Sequence, residues 1–283
     1  MNWDLFSDIR SHTNDDRDIL GPVDSDQPGL NRGWATATRS QRLKMADDHK
    51  YWIKGMLYFL GNDPRVPEAT RQNVNSYGYC KDEYTKYDNF PPQLYVRISN
   101  RLIGESLLTQ NNIIEPQAKD DAVAMGCWIF DQHTVSRHAV PANSTQHTRT
   151  GMVVENEGFM RAILGSEGLP CDHPDADCES FDTTWYDVPY GVMSPKRKQA
   201  SNLLIPVAIS ASSVAYSSTR IENMFMDLGS AAGVAVAQLL RERQGAAVGS
   251  CPKLAVQDVD VSAVQKVLQN VYGQALHGPP GRT

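Results

Sequence analysis

Nine residues, Asn202-Leu-Leu-Ile-Pro-Val-Ala-Ile-Ser210, constrain this chain more than any others, because a near-unbroken apolar run leads at once into a polar stretch and a segment of small residues. Leu203, Leu204, Ile205, Val207 and Ile209 read as a strand buried on both faces of a parallel sheet. The following stretch carries five serines between Ser210 and Ser218 and reads as a loop. Gly229, Ala232, Gly233 and Val236 then fall at i, i+3, i+4 and i+7. On a helix these small side chains share one face and admit close approach of another backbone.

Strand, serine loop and small-faced helix suit the closing edge of a nucleotide-binding domain. With Arg220-x-Glu222 and Met226-x-Leu228-Gly229-x-Ala231-Ala232-Gly233, the segment resembles the C-terminal end of bacterial-type FAD-dependent oxidoreductases. Further blocks resemble that family in the right order. They run from Ala35-Thr36-x-x-Arg39 through Gly61-Asn62-Asp63-Pro64-Arg65-Val66-Pro67 to Lys81-Asp82-Glu83, then Gln93-Leu94-Tyr95-Val96-Arg97 with Arg101-x-x-Gly104-Glu105. Gly126 to Arg137 and Asn156-Glu157-Gly158 complete them. Together the blocks cover most of residues 34 to 240.

The resemblance implies an α/β fold, the C-terminal part of a Rossmann-like, glutathione-reductase-type FAD-binding fold with a substrate-side α+β region. Residues 1–200 are expected to form the substrate-side and interdomain region, 201–245 the returning part of the FAD domain, and 246–283 a tail with a short helix. The implied cofactor is FAD. Ser210, Ala211, Ser212, Arg220, Glu222 and Met224 fall where strand end, loop and helix start would meet the isoalloxazine ring. Ser213 stands where the family commonly has histidine, and Asn223 where it has proline.

Flavoproteins of this kind hold the pyrophosphate on a Gly-x-Gly-x-x-Gly turn, where absent side chains let backbone N–H groups reach the phosphates. No such motif occurs in this sequence. The expectation is therefore an N-terminally truncated fragment whose missing nucleotide-binding segment is a partner. The alternative is a non-catalytic remnant acting as a binding or interaction module.

The best chemical constellation lies in Ile129-Phe-Asp-Gln-His-Thr-Val-Ser-Arg137. As a strand it would align Asp131, His133 and Arg137 on one face. A carboxylate beside a histidine fixes its tautomer and raises its basicity, and an arginine can bind a substrate carboxylate or stabilise an anionic flavin. A solvated strand face with a local ion pair is the competing reading, and the resemblance favours the catalytic one. Arg97 and Arg101 are the next candidates, for neutralising substrate or cofactor charge, with structural salt bridges as the alternative. The reaction implied is hydride transfer between FAD and a polar small molecule.

A net charge of −6 argues against non-specific nucleic-acid binding, and the one dense basic cluster, Lys196-Arg197-Lys198, reads as a solvated turn. Apolar runs are too short for a membrane span, and residues 1–10 have no signal core. A soluble protein, cytoplasmic by default and free to oligomerise, is expected. Five cysteines leave an odd count. Cys171 and Cys178 bracket His173 in a spacing that fits no standard zinc template, so a surface loop or disulfide is expected there and no metal.

Met45, His49, Trp52, Ile53, Met56 and Phe59 or Leu60 predict a helix within 34–60, stopped by Asn62-Asp63-Pro64. A shorter helix follows Pro67. Residues 93–109 read as strand then helix, and 139–188 as surface loops.

Overall fold

The computed structural model describes residues 29–128, 130, 136–140, 153–157, 185–244 and 254–278. In chain order its helices and strands are α1 (Arg39–Asn62), α2 (Glu68–Asn75), α3 (Gln110–Ile114), β1 (Ala122–Gly126), β2 (Ser136–Val140), β3 (Val153–Glu157), β4 (Tyr186–Pro189), α4 (Ser213–Thr219), α5 (Glu222–Gln244) and α6 (Val261–Tyr272). They fall into two compact units, Met1–Val96 with His133–Phe159, and Arg97–Gln132 with Met160–Thr283.

In the first unit the expected apolar stripe becomes α1. A capping box fixes its start: the Gln41 N–H donates to Thr38 Oγ1, and Gln41 Oε1 accepts from the Thr38 N–H. The helix stops at Asn62, where Asp63 turns extended ahead of Pro64. Asp63 accepts from the Arg65 backbone and guanidinium, and these bonds hold its carboxyl well below the usual range, at about 2. The helix expected after Pro67 is α2. Leu60 and Val66 are buried against Met56 and Val74, and Asn75 Nδ2 donates to the Gly61 carbonyl at 2.7 Å, joining the two helices. β2 and β3 pair antiparallel, with Ser136 opposite Glu157.

In the second unit β1 pairs antiparallel with β4, placing Met125 opposite Asp187 and Gly126 opposite Tyr186. Both α5 and α6 pack on β1. Val123, Val188, Met224, Leu228, Val264 and Leu268 belong to one buried core. β4 is buried along its length, so the surface-loop expectation fails for residues 186–188, and residues 153–157 of the same stretch are strand β3. The reason is local: Tyr186, Val188 and the short turn after them carry the apolar side chains that β1 and α5 need to cover.

Four further expectations are corrected. Residues 202–210 join no strand ladder, and Leu203 and Val207 are 46% and 50% exposed. Pro206 interrupts the run and removes a backbone donor. What remains is an extended segment gripped on both sides: Ile205 and Ser210 donate to Met193 and Val192, while Ala208 and Ser210 accept from Leu102 and Leu108. Among the described residues the strands form two separate antiparallel pairs, and parallel pairing is confined to an isolated Leu108–Ala211 bridge. Mixed helix and strand content is compatible with the α/β class.

The serine stretch is helix α4 and not a loop. Ser212 Oγ caps it by accepting from the Ala215 N–H, and Ser217 donates back to the Val214 carbonyl, which lets a serine be fully buried. On α5 the buried positions are Met224, Leu228, Ala231 and Ala235, spaced i, i+4, i+7 and i+11. The expected close approach on the small-residue face is absent among the described residues, since a Cβ on Gly229 or Gly233 would meet nothing within 4 Å. Residues 93–109 form neither strand nor helix. They run irregularly because Gly104 is pressed against backbone: a Cβ there would lie 2.8 Å from the carbonyl oxygens of both Gly191 and Ser194.

Candidate functional site

Arg101 and Ala211, far apart in sequence, meet in the second unit. Arg101 donates from Nε to the Ala211 carbonyl at 2.9 Å and from Nη1 to the Ser99 carbonyl at 3.2 Å. Its guanidinium lies 5.7 Å from the centre of the Tyr216 ring, a cation–π distance. The same Ala211 bridges to Leu108, and the Ser212 N–H donates to the Leu108 carbonyl at 2.8 Å. Arg97 is half-buried and partnered.

Of the residues expected around a flavin, Ser210, Ala211 and Ser212 lead into α4, while Arg220, Glu222 and Met224 lie at its far end and in the first turn of α5. Seven residues of helix separate the two groups, about 10 Å at 1.5 Å per residue. Ser210 is almost wholly buried, and its Oγ has no hydrogen-bond partner among the described residues. Ser212 is committed to its cap. Arg220 is buried, Met224 lies in the core, and Glu222 is exposed. α5 leaves the N–H groups of its first turn without intrahelical acceptors, as every helix does, and its dipole puts partial positive charge there.

Asp131 and His133 lie outside the described residues. Arg137 sits in β2, opposite Asn156 of β3. The strand expected over 129–137 is described only from Ser136 onward.

The structure also brings together groups that sequence reasoning passed over. Asp187, buried on β4, accepts from the Lys119 N–H at 2.9 Å and pairs with His277 Nδ1 at 2.7 Å. Tyr186 OH and Ser218 Oγ lie 2.7 Å apart, and Ser218 donates to the Trp128 carbonyl at 2.5 Å. Burial pushes the Tyr186 and Tyr190 phenols well above their usual range. No sequence signal marks Asp187 or His277, since they lie 90 residues apart and neither belongs to a motif. The Lys196-Arg197-Lys198 cluster is a turn held by Glu105. The Arg197 N–H donates to Glu105 Oε1 at 2.8 Å, Lys196 Nζ is 3.6 Å from Glu105 Oε2, and the Arg197 guanidinium pairs with Asp258.

Among the described residues no group of three or more His, Cys, Asp or Glu side chains is placed to hold a metal. No described helix is long and apolar enough to cross a membrane. Cys80 and Cys127 are free thiols, and burial pushes the Cys127 thiol up.

A search of curated proteins and a search of solved structures returned no match. A family profile described as FAD dependent oxidoreductase matches residues 8–268, nearly the whole chain. The chain belongs to the FAD-dependent oxidoreductase family.

Proposed function

We propose that this chain supplies the substrate side and a flavin-facing edge of an enzyme that moves hydride between a polar small molecule, such as a sugar or hydroxy acid, and FAD. The family match makes FAD the cofactor and oxidoreduction the general activity. The observation that carries the finer reading is the Arg101–Ala211 hydrogen bond, which links an arginine assigned to the substrate side with a residue assigned to the flavin side. A Rossmann-like domain completes the reading, with a Gly-rich pyrophosphate-binding segment supplied from outside these residues, because no Gly-x-Gly-x-x-Gly turn occurs in the sequence.

Two features fit a flavin. The buried, unpartnered Ser210 hydroxyl can donate to or accept from a polar ring edge. The first turn of α5, a 23-residue helix beginning at Glu222, offers N–H groups and a positive dipole end that favour negative charge on a reduced ring. Ala211 and Met224 would contribute packing, and Ser212 and Arg220 would hold the chain around them.

Bound FAD supplies the hydride acceptor or donor. In this reading His133 moves the proton that accompanies hydride at the substrate, with Asp131 fixing its tautomer. In the second unit Arg97 and Arg101 hold anionic or hydroxyl groups of the substrate, and Arg137 of β2 is assigned the same chemistry by the resemblance alone. In the FAD-loaded enzyme, His133→Ala is expected to lower turnover by about 100-fold or more with flavin content unchanged. Turnover equal to the parent would contradict the assignment.

A further inference from the structure

Arg101 of the second unit carries a positive charge that no described carboxylate neutralises. Arg65 and Arg197, by contrast, pair with Asp63 and Asp258. Arg101 is half-buried, and its acceptors among the described residues are two backbone carbonyls, of Ala211 at 2.9 Å and Ser99 at 3.2 Å. Carbonyl dipoles satisfy N–H groups and leave the net charge in place.

The same contacts fix the guanidinium before any ligand arrives. Its carbon lies over the Tyr216 ring, 5.7 Å from the centroid, and that ring is itself held. Tyr216 sits on α4, is 6% exposed, and donates from its hydroxyl to the Val207 carbonyl at 3.0 Å. The two carbonyls take up Nε and one hydrogen of Nη1. Both hydrogens of Nη2 and the second of Nη1 remain as a fork without an acceptor among the described residues.

Resting on the flavoenzyme reading above, we propose that Arg101 is a carboxylate-binding subsite with Tyr216 as its positioning residue, so that the substrate is a hydroxy acid bearing one carboxylate and not a neutral sugar. A carboxylate presents two oxygens in one plane, which match two parallel N–H groups of a guanidinium fork. One unneutralised cation balances one negative charge. A phosphate ester, with about −1.5 to −2, would leave charge unmatched. Partial burial beside Tyr216 and Ala211, 6% and 5% exposed, lowers the local dielectric and makes the pairing stronger than at a fully solvated arginine. A guanidinium already clamped loses little further freedom on binding.

Isothermal titration of the full chain, without flavin, with sodium glycolate, inorganic phosphate and glucose at constant ionic strength tests this. The expected result is saturable binding of glycolate, weaker binding of phosphate and none of glucose. Arg101→Met should weaken glycolate about tenfold or more. Tyr216→Leu, which removes the ring under the guanidinium, should weaken it about threefold, while Tyr216→Phe, which keeps the ring, should bind as the parent does. Arg197→Met, at an arginine already paired with Asp258, should leave affinity unchanged. Should Arg101→Met fail to fold, the ligand preference of the parent and the two Tyr216 variants still decide. The proposal is overturned if the parent does not bind glycolate or prefers phosphate or glucose. It is overturned equally if Arg101→Met or Tyr216→Leu binds like the parent, if Tyr216→Phe falls as far as Tyr216→Leu, or if Arg197→Met loses as much as Arg101→Met. Glycolate is read on the flavin-free chain, so this subsite and flavin retention can fail separately.

Discussion

Arg101 Nε donates to the Ala211 carbonyl at 2.9 Å, so one side chain ties the irregular segment around residue 101 to the residue preceding the cap of α4. Its Nη1 holds the Ser99 carbonyl as well. Lysine has no fork with which to reach both acceptors. Arg101→Lys should therefore destabilise the chain nearly as much as Arg101→Met, each by about 1–3 kcal/mol. Urea unfolding midpoints measure this, and an Arg101→Lys midpoint equal to that of the parent would show that the contact carries no weight.

Two glycines should respond to alanine with opposite signs. Gly104 faces the fixed carbonyls of Gly191 and Ser194, and Gly104→Ala should cost about 1–3 kcal/mol through forced backbone displacement. Gly229 lies in the interior of α5 with open space where a Cβ would go, so Gly229→Ala should stabilise by about 0.5–1 kcal/mol. Thermal melts of the two variants, taken side by side, would refute the packing described here if both fell together.

The buried Tyr186–Ser218–Trp128 chain makes a distinction between its ends. Ser218→Ala removes the partner of a fully buried phenol and should cost about 1–3 kcal/mol. Tyr186→Phe leaves Ser218 still donating to the Trp128 carbonyl, and should cost less, about 0.5–1.5 kcal/mol. Equal losses in denaturant titration would mean the hydroxyl pairing is immaterial.

Tyr186 and Tyr190 fix an alkaline limit. Burial is the main cause raising both phenols in the folded state, so between the unfolded value near 10 and the higher folded value the unfolded chain releases protons that the folded chain keeps. Stability from these groups is complete below about pH 10 and is lost as pH rises toward their folded values. Melting temperature should thus fall steeply above about pH 10, and Tyr190→Phe should make the fall shallower. An unchanged slope in that variant would remove Tyr190 from the explanation.

What the sequence disclosed, and what it withheld, follows from where the determining forces lie. α1 and α2 were legible because their stops are local: Asp63-Pro64 ends one and Pro67 opens the other. The family was legible because its blocks are contiguous runs. The apolar run at 202–210 misled because a continuous apolar pattern takes no account of Pro206, and because two backbone segments, not a sheet, take up its hydrogen bonds. The serine stretch misled because hydroxyls suited to loops can also satisfy themselves on helical carbonyls, as Ser217 does. Contacts such as Asp187–His277 and Arg101–Ala211 depend on tertiary placement of residues that carry no motif. Asp131 and His133 lie outside the described residues and rest on the sequence alone.

Flavin retention tests the central claim most directly. The chain is joined to the Gly-x-Gly-x-x-Gly nucleotide-binding segment of another family member, loaded with FAD and passed through gel filtration, alone and as the Arg220→Ala and His133→Ala variants. The expected result is stoichiometric FAD on the parent and on His133→Ala, with FAD lost or its visible spectrum altered in Arg220→Ala, because Arg220 adjoins the start of α5. Equal retention and identical spectra in all three proteins, or no retention by the parent, would contradict a flavin-facing α5.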